Sequence, residues 1–321
     1  MKIGFRVFGQ TISVATDDPQ LWSFLLALRK IHVFEVQACD PGLPLETVPS
    51  LVHKRGASTR LTYDPATRAL ELVANWEDIN ASGTLENLLG QLAGLACFDA
   101  GLVPVHGGAI SVAGGMYLFV GGSGAGKSSL CLAMMSKFGA RWEANDYLCL
   151  GRGPDEQIYV QQVDDYFDFR NSMLNNLGEV LPPSVSRLVD ATQTADPWAK
   201  SPAVPLSILR PPSDGGRAVP IKGIIFPVTG SGSPTAVGRL AERVGAANLL
   251  REIAWPIRGI GGFVLGNGGT VLAPSVSIIP TGGWQLICDL VTDLISSCTS
   301  WAAIGSVESL PQALYSTVVV G

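Results

Sequence analysis

Residues 105–150 read VHGGAISVAGGMYLFVGGSGAGKSSLCLAMMSKFGARWEANDYLCL, and the centre of this stretch decides how the chain is read. Gly121-Gly122-Ser123-Gly124-Ala125-Gly126-Lys127-Ser128 fits the pattern G-x-x-x-x-G-K-[S/T]. A loop that wraps a triphosphate with backbone N–H groups is obstructed by a Cβ at several positions, and glycine removes the obstruction. A helix opening at Lys127 turns its positive end toward the same phosphates. Lys127 is expected to reach the β- and γ-phosphates, and the Ser128 hydroxyl to ligate Mg²⁺. The flanks agree with this reading. Met116–Val120 is an apolar strand, and Lys127–Phe138 is a helix with Leu130, Ala133, Met134 and Phe138 on one face. The expected ligands are ATP and Mg²⁺, held by Gly121 through Ser129.

An acid follows early. Asp146 stands nineteen residues after Lys127, which leaves room for one helix, a short turn at Gly139 and a strand running straight back. That path brings Asp146 beside the loop, as a second Mg²⁺ ligand or as the base for an attacking hydroxyl. The plain alternative is a surface acid at a strand end. Before the loop, His106-Gly107-Gly108 lies between two β-like segments. Paired glycines there imply close approach of backbone or ligand. The imidazole is a candidate to contact phosphate or relay a proton, or else is a hydrogen-bonded core histidine. Residues 141–150 read as one long strand or a strand pair. In a regular strand Glu143 and Asn145 share one face and Asp146 points to the other, which separates Glu143 from Asp146 as a base.

Outward from this stretch the chain reads as α/β (α+β), with a small N-terminal α+β domain over residues 1–101 and a phosphate-loop domain over 102–321. Lys2–Phe8 and Thr11–Ala15 predict a hairpin around Gly9-Gln10. Asp17-Asp18-Pro19 predicts an N-cap and a first-turn proline for the helix carrying Leu21, Phe24, Leu25 and Leu28. Ile31–Ala38 reads as a strand, and Arg60–Tyr63 and Ala69–Trp76 as a second hairpin. Thr84–Asp99 is an amphipathic helix with Leu85, Leu88, Leu89, Leu92, Leu95 and Phe98 on its apolar side. Beyond the loop, strands are expected at Ile158–Val163 and Ile221–Pro227, and helices at Arg239–Trp255 and Trp284–Ser297. Leu181–Gly216, rich in Pro, Ser and Gly, is either a lid over a substrate or an ordinary insertion loop.

Composition narrows the classes. Of the 321 residues, 47% are hydrophobic and 15% charged, which fits a globular chain. The formal charge of −5, with no long basic run, argues against a nucleic-acid partner. Six cysteines form no CxxC pair, a pattern suited to a reducing cytoplasm, and three histidines make a His-rich zinc site improbable. The N-terminus lacks the apolar block of a signal peptide, and no stretch is long enough to span a bilayer, so no membrane is expected.

The order His-Gly strand, hairpin, phosphate loop, one helix and acid-ending strand resembles the core of the HPr serine kinase family. That family shares its nucleotide site with phosphoenolpyruvate carboxykinases. The resemblance matches His106 to the family histidine, Gly121–Ser128 to the loop and Asn145-Asp146 to a pair of acids. It covers about fifty residues, with weaker similarity to compact relatives encoded with modified-peptide pathways such as those of lasso peptides. It implies an ATP-dependent kinase acting on a serine of a peptide or protein, with Lys127, His106, Asn145 and Asp146 in the catalytic group. Two departures stand out. Asn145 replaces the first acid, and the glycine-rich signature of the bifunctional HPr enzymes is absent after residue 150, which argues against HPr itself as the substrate. Related kinases carry a basic residue near Asp164–Arg170, so Arg170 is a candidate phosphoryl clamp, with Arg258 as a second candidate cation. The alternatives are a small-molecule kinase on the same core and a nucleotide-binding module without transfer. The oligomeric state is left open by the sequence.

Overall fold

The structure, a computed structural model, describes residues 1–28, 30–31, 34–35, 37–39, 48–57, 59–82, 84–162, 166–167, 204–205, 219–254, 264–265, 270–271 and 279–321. Within these residues the fold is mixed α/β, with two large mixed sheets and seven α-helices. The chain divides into two compact units: Met1–Pro104 with Ala254–Ile287, and Val105–Ile253 with Cys288–Gly321. This division differs from the sequence-based one in giving Ala254–Ile287 to the first unit. A segment that returns late in the chain leaves no local signature of where it goes.

In the first unit, β1 (Lys2–Val7) and β2 (Gln10–Thr16) form an antiparallel hairpin. The turn is Phe8-Gly9, one residue earlier than expected. Both residues have positive φ, 50° and 78°, the twist that two-residue hairpins favour. Asp18 caps α1 (Pro19–Ala27), its carboxylate accepting from Gln20 N at 2.7 Å and Leu21 N at 3.1 Å, with Pro19 in the first turn. The sheet runs β3 (Gln37–Cys39), β1, β2, β4 (Ser50–Lys54), β6 (Ala69–Val73), β5 (Arg60–Asp64). A short helix α2 (Trp76–Ser82) precedes α3 (Thr84–Asp99), whose six expected apolar residues are all buried. That face lies against β1, β2 and β4. Each such side chain contributes roughly 1.5–3 kcal/mol on burial.

In the second unit, β7 (Val103–Val112) and β8 (Gly115–Val120) form the expected hairpin, turned at Ala113-Gly114. Helix α4 (Lys127–Phe138) ends at Gly139, and β9 (Arg141–Ala144) returns antiparallel to β7. Then come β10 (Tyr147–Arg152), β11 (Ile158–Gln162), β12 (Ile221–Thr229), β13 (Ala236–Arg239), α5 (Glu242–Ala254), α6 (Thr281–Ser297), β14 (Thr299–Gly305) and α7 (Leu310–Leu314). The sheet order is β11-β10-β7-β8-β12-β14-β13, with β9 also pairing β7. The helix expected from Arg239 begins at Glu242, because Ala236–Arg239 pairs with β14 instead.

β8, β12 and β14 run parallel at the sheet's centre, and every residue of β8 is buried. Such strands read as continuous apolar runs because both faces are covered. One face carries α4, whose Leu130, Ala133 and Met134 join Phe119, Trp142 and Ile225 in a single core. The loop leaves the carboxyl end of β8, the edge at which open α/β sheets bind ligands.

Candidate nucleotide site

The loop is held from the side by β12. Thr229 N–H donates to Ala125 O at 3.2 Å, and the Thr229 hydroxyl lies 3.4 Å from the same oxygen. Gly126 sits at the N-cap of α4 with φ 92°, and a Cβ there would run into the Thr229 side chain. Glycine is therefore required twice over, by conformation and by space. Gly107 answers a similar demand, since a Cβ on it would come 2.9 Å from Phe119 O. Gly107 thus allows close approach of β7 to β8, and a Cβ on Gly108 would come 3.3 Å from Ala144 O.

Lys127 is buried and folded back on the loop. Its ammonium donates to Gly121 O at 2.7 Å and Gly122 O at 3.1 Å, and stands 3.3 Å from His106 Nε2. One residue on, the Ser128 hydroxyl donates to Asn145 Oδ1 at 3.1 Å. The chain reaches that hydroxyl by breaking the strand. Residues 141–150 are two strands, and Asp146 between them has φ 56°, a left-handed conformation that Asp tolerates better than most residues. Gly107 N–H donates to Asp146 O at 3.1 Å, which ties the break to β7. The result turns the buried Asn145 toward Ser128 and leaves the Asp146 side chain 55% exposed, its Oδ1 3.6 Å from His106 Nε2.

The regular alternation assumed for residues 143–146 does not hold. The register of β9 against β7 slips at Glu143, and such a bulge re-aims side chains. The Glu143 carboxylate accepts from Ser111 Oγ at 2.5 Å and pairs with Arg141 at 3.3 Å. Both contacts lie at that edge of the sheet.

Glu252, which the sequence reading did not single out, enters the site. It lies on α5 beside the buried Leu249 and Ile253, is itself 3% exposed, and places Oε2 3.4 Å from His106 Nδ1. Its Oε1 accepts from Arg251 Nε at 2.9 Å. An acid on the apolar side of an amphipathic helix was the available signal, because a buried carboxylate needs partners. Tyr147 covers the other side of the imidazole, ring centroids 5.5 Å apart. Burial pushes the Tyr147 phenol up from its ordinary value, and the Asp146 and Glu252 carboxylates add to the shift, so the phenol is neutral. Burial likewise raises the Cys131 thiol, against the opposing pull of Lys127.

The structure thus brings together Gly121–Ser129, Lys127, His106, Asn145 and Asp146, as read from the sequence. Arg170, Arg258, the acids at 164, 165 and 168, and Leu181–Gly216 apart from residues 204–205 lie outside the described residues. Among the described residues no group of three or more His, Cys, Asp or Glu could hold a metal ion by itself, and no helix is long and apolar enough to cross a membrane. In comparisons with known proteins, no family model matches the chain and no curated protein matches it.

Proposed function

We propose that the chain is a kinase: it binds Mg·ATP on Gly121–Ser129 and transfers the γ-phosphate to a hydroxyl, a serine of a peptide or protein. The observation that carries this reading is the strand break after β9. It sets Asn145 against Ser128 and Asp146 against His106 at the N-terminus of α4. A turn that only linked β8 to α4 has no need of an acid or an amide brought there by the next strand.

The site fits a triphosphate in three respects. Loop amides and the helix N-terminus supply positive potential. Lys127 is already at the loop, on carbonyls that phosphate oxygens outbid for an ammonium. Ser128 and Asp146 are the residues that would hold a phosphate-bound Mg²⁺; among the described residues no cluster of three or more His, Cys, Asp or Glu could hold it by itself, which suits an ion that arrives with the nucleotide. Once bound, Mg²⁺ neutralises charge on the phosphates. The protein's own part is positioning: Lys127 on the transferring group, and Asp146 orienting the acceptor hydroxyl and taking its proton.

A second reading, nucleotide binding without transfer, is favoured by one observation. The side chain bonded to Ser128 is the amide of Asn145 and not a carboxylate. The two readings separate on ATP binding measured beside transfer. Binding with transfer to serine supports the kinase, and binding without transfer to any natural partner supports the module.

A further inference from the structure

Lys127, His106 and Glu252 form a buried line, with 6%, 5% and 3% of their surfaces exposed. An ammonium has three N–H donors and no acceptor. Gly121 O, Gly122 O and His106 Nε2 all lie within reach of the Lys127 ammonium. A donor facing Nε2 suits the tautomer with a lone pair on Nε2 and the ring proton on Nδ1. On that side stands Glu252 Oε2 at 3.4 Å, an acceptor. The Asp146 oxygen stands farther from Nε2, at 3.6 Å, than the Lys127 ammonium at 3.3 Å. The other Glu252 oxygen accepts from Arg251 Nε at 2.9 Å.

We propose that Glu252 is a positioning residue. It fixes His106 as the Nδ1–H tautomer, and the Nε2 lone pair so presented latches Lys127 on the loop's own carbonyls until nucleotide phosphates draw the lysine off. This rests on reading Lys127 as the phosphate-binding lysine. The latch competes with the nucleotide, and removing it frees Lys127 at lower cost. The sequence order His106, Lys127, Glu252 scatters the three groups over a strand, a loop end and a distant helix, which only the fold unites.

The test is ring-nitrogen NMR on the chain labelled with ¹⁵N-histidine, which has three histidines to assign. It is run without nucleotide at about pH 8, above the usual imidazole range. Wild type should show a protonated Nδ1 and a lone pair on Nε2 at His106. Glu252→Gln, whose amide oxygen still accepts, should keep that pattern; Glu252→Leu should lose it. Mg·ATP affinity by calorimetry should then rise about 2- to 10-fold in Glu252→Leu, the range of one hydrogen bond, and stay near wild type in Glu252→Gln. A wild-type His106 protonated on Nε2 overturns the proposal, whether or not the leucine variant folds. So does an unchanged tautomer in a folded Glu252→Leu. Failure of wild type to bind ATP would sink the kinase reading while leaving the tautomer result standing, so the two failures are distinguishable.

Discussion

Replacing Gly126 by alanine probes the loop at its tightest point. The residue has φ 92°, where an L side chain is strained by roughly 1–2 kcal/mol. The new Cβ also meets the Thr229 side chain, and forcing a methyl into filled space costs about 1–3 kcal/mol. Together the loss is about 2–5 kcal/mol, which at a urea slope of roughly 2–3 kcal/mol/M lowers the unfolding midpoint by about 1–2 M. Gly122→Ala is the control. No atom lies within 4 Å of its would-be Cβ, and its φ is not left-handed, so its effect should stay within about 0.5 kcal/mol. Thr229→Gly alongside Gly126→Ala should restore the steric share and not the conformational one, giving a coupling of about 1–3 kcal/mol. Urea unfolding followed by tryptophan fluorescence and circular dichroism measures all five chains, the Thr229→Gly single variant included. An unchanged midpoint in Gly126→Ala, or an equal loss in Gly122→Ala, refutes the loop geometry from which the nucleotide site is argued.

Two further outcomes follow from other parts of the molecule. Asp18→Ala removes the cap of α1 and should lower stability by about 0.5–2 kcal/mol in the same urea assay. Burial pushes the Cys298 thiol up to about 12, so the folded chain keeps a proton that the unfolded chain releases from about pH 8.5 upward. That contribution is whole below the unfolded value and is lost as pH rises toward the folded one. Cys298→Ala should therefore flatten the fall of unfolding free energy between about pH 9 and pH 11, with Cys131 and Tyr147, shifted in the same direction, supplying the remaining slope.

Much of this architecture was legible because local rules and tertiary packing agree. The apolar period of Thr84–Asp99, the cap-and-proline start at Asp18-Pro19 and the glycines around Lys127 each act within a few residues, and each appears where the sequence puts it. What escaped depends on partners far along the chain. Ala236–Arg239 and Thr299–Gly305 are strands because they pair with each other, and the second also pairs with β12; neither has a period of its own. At the site, the loop, Lys127, His106 and Asp146 could be read from motif, neighbours and spacing, and Asn145 from the family resemblance. The bulge at Glu143 and the left-handed Asp146, which decide what those side chains face, could not. Glu252 is 146 residues from the histidine it holds, and only packing of α5 brings it there.

Phosphate transfer from a nucleotide on Gly121–Ser129 is tested most directly with γ-labelled ATP and Mg²⁺ against serine peptides, comparing the full chain with Lys127→Ala and Asp146→Asn. Wild type should place label on a serine. Lys127→Ala should place none, and Asp146→Asn should bind ATP nearly as well as wild type without transferring it. Full transfer by Asp146→Asn, or ATP bound by wild type with no serine labelled in the presence of its natural partners, would contradict the kinase reading.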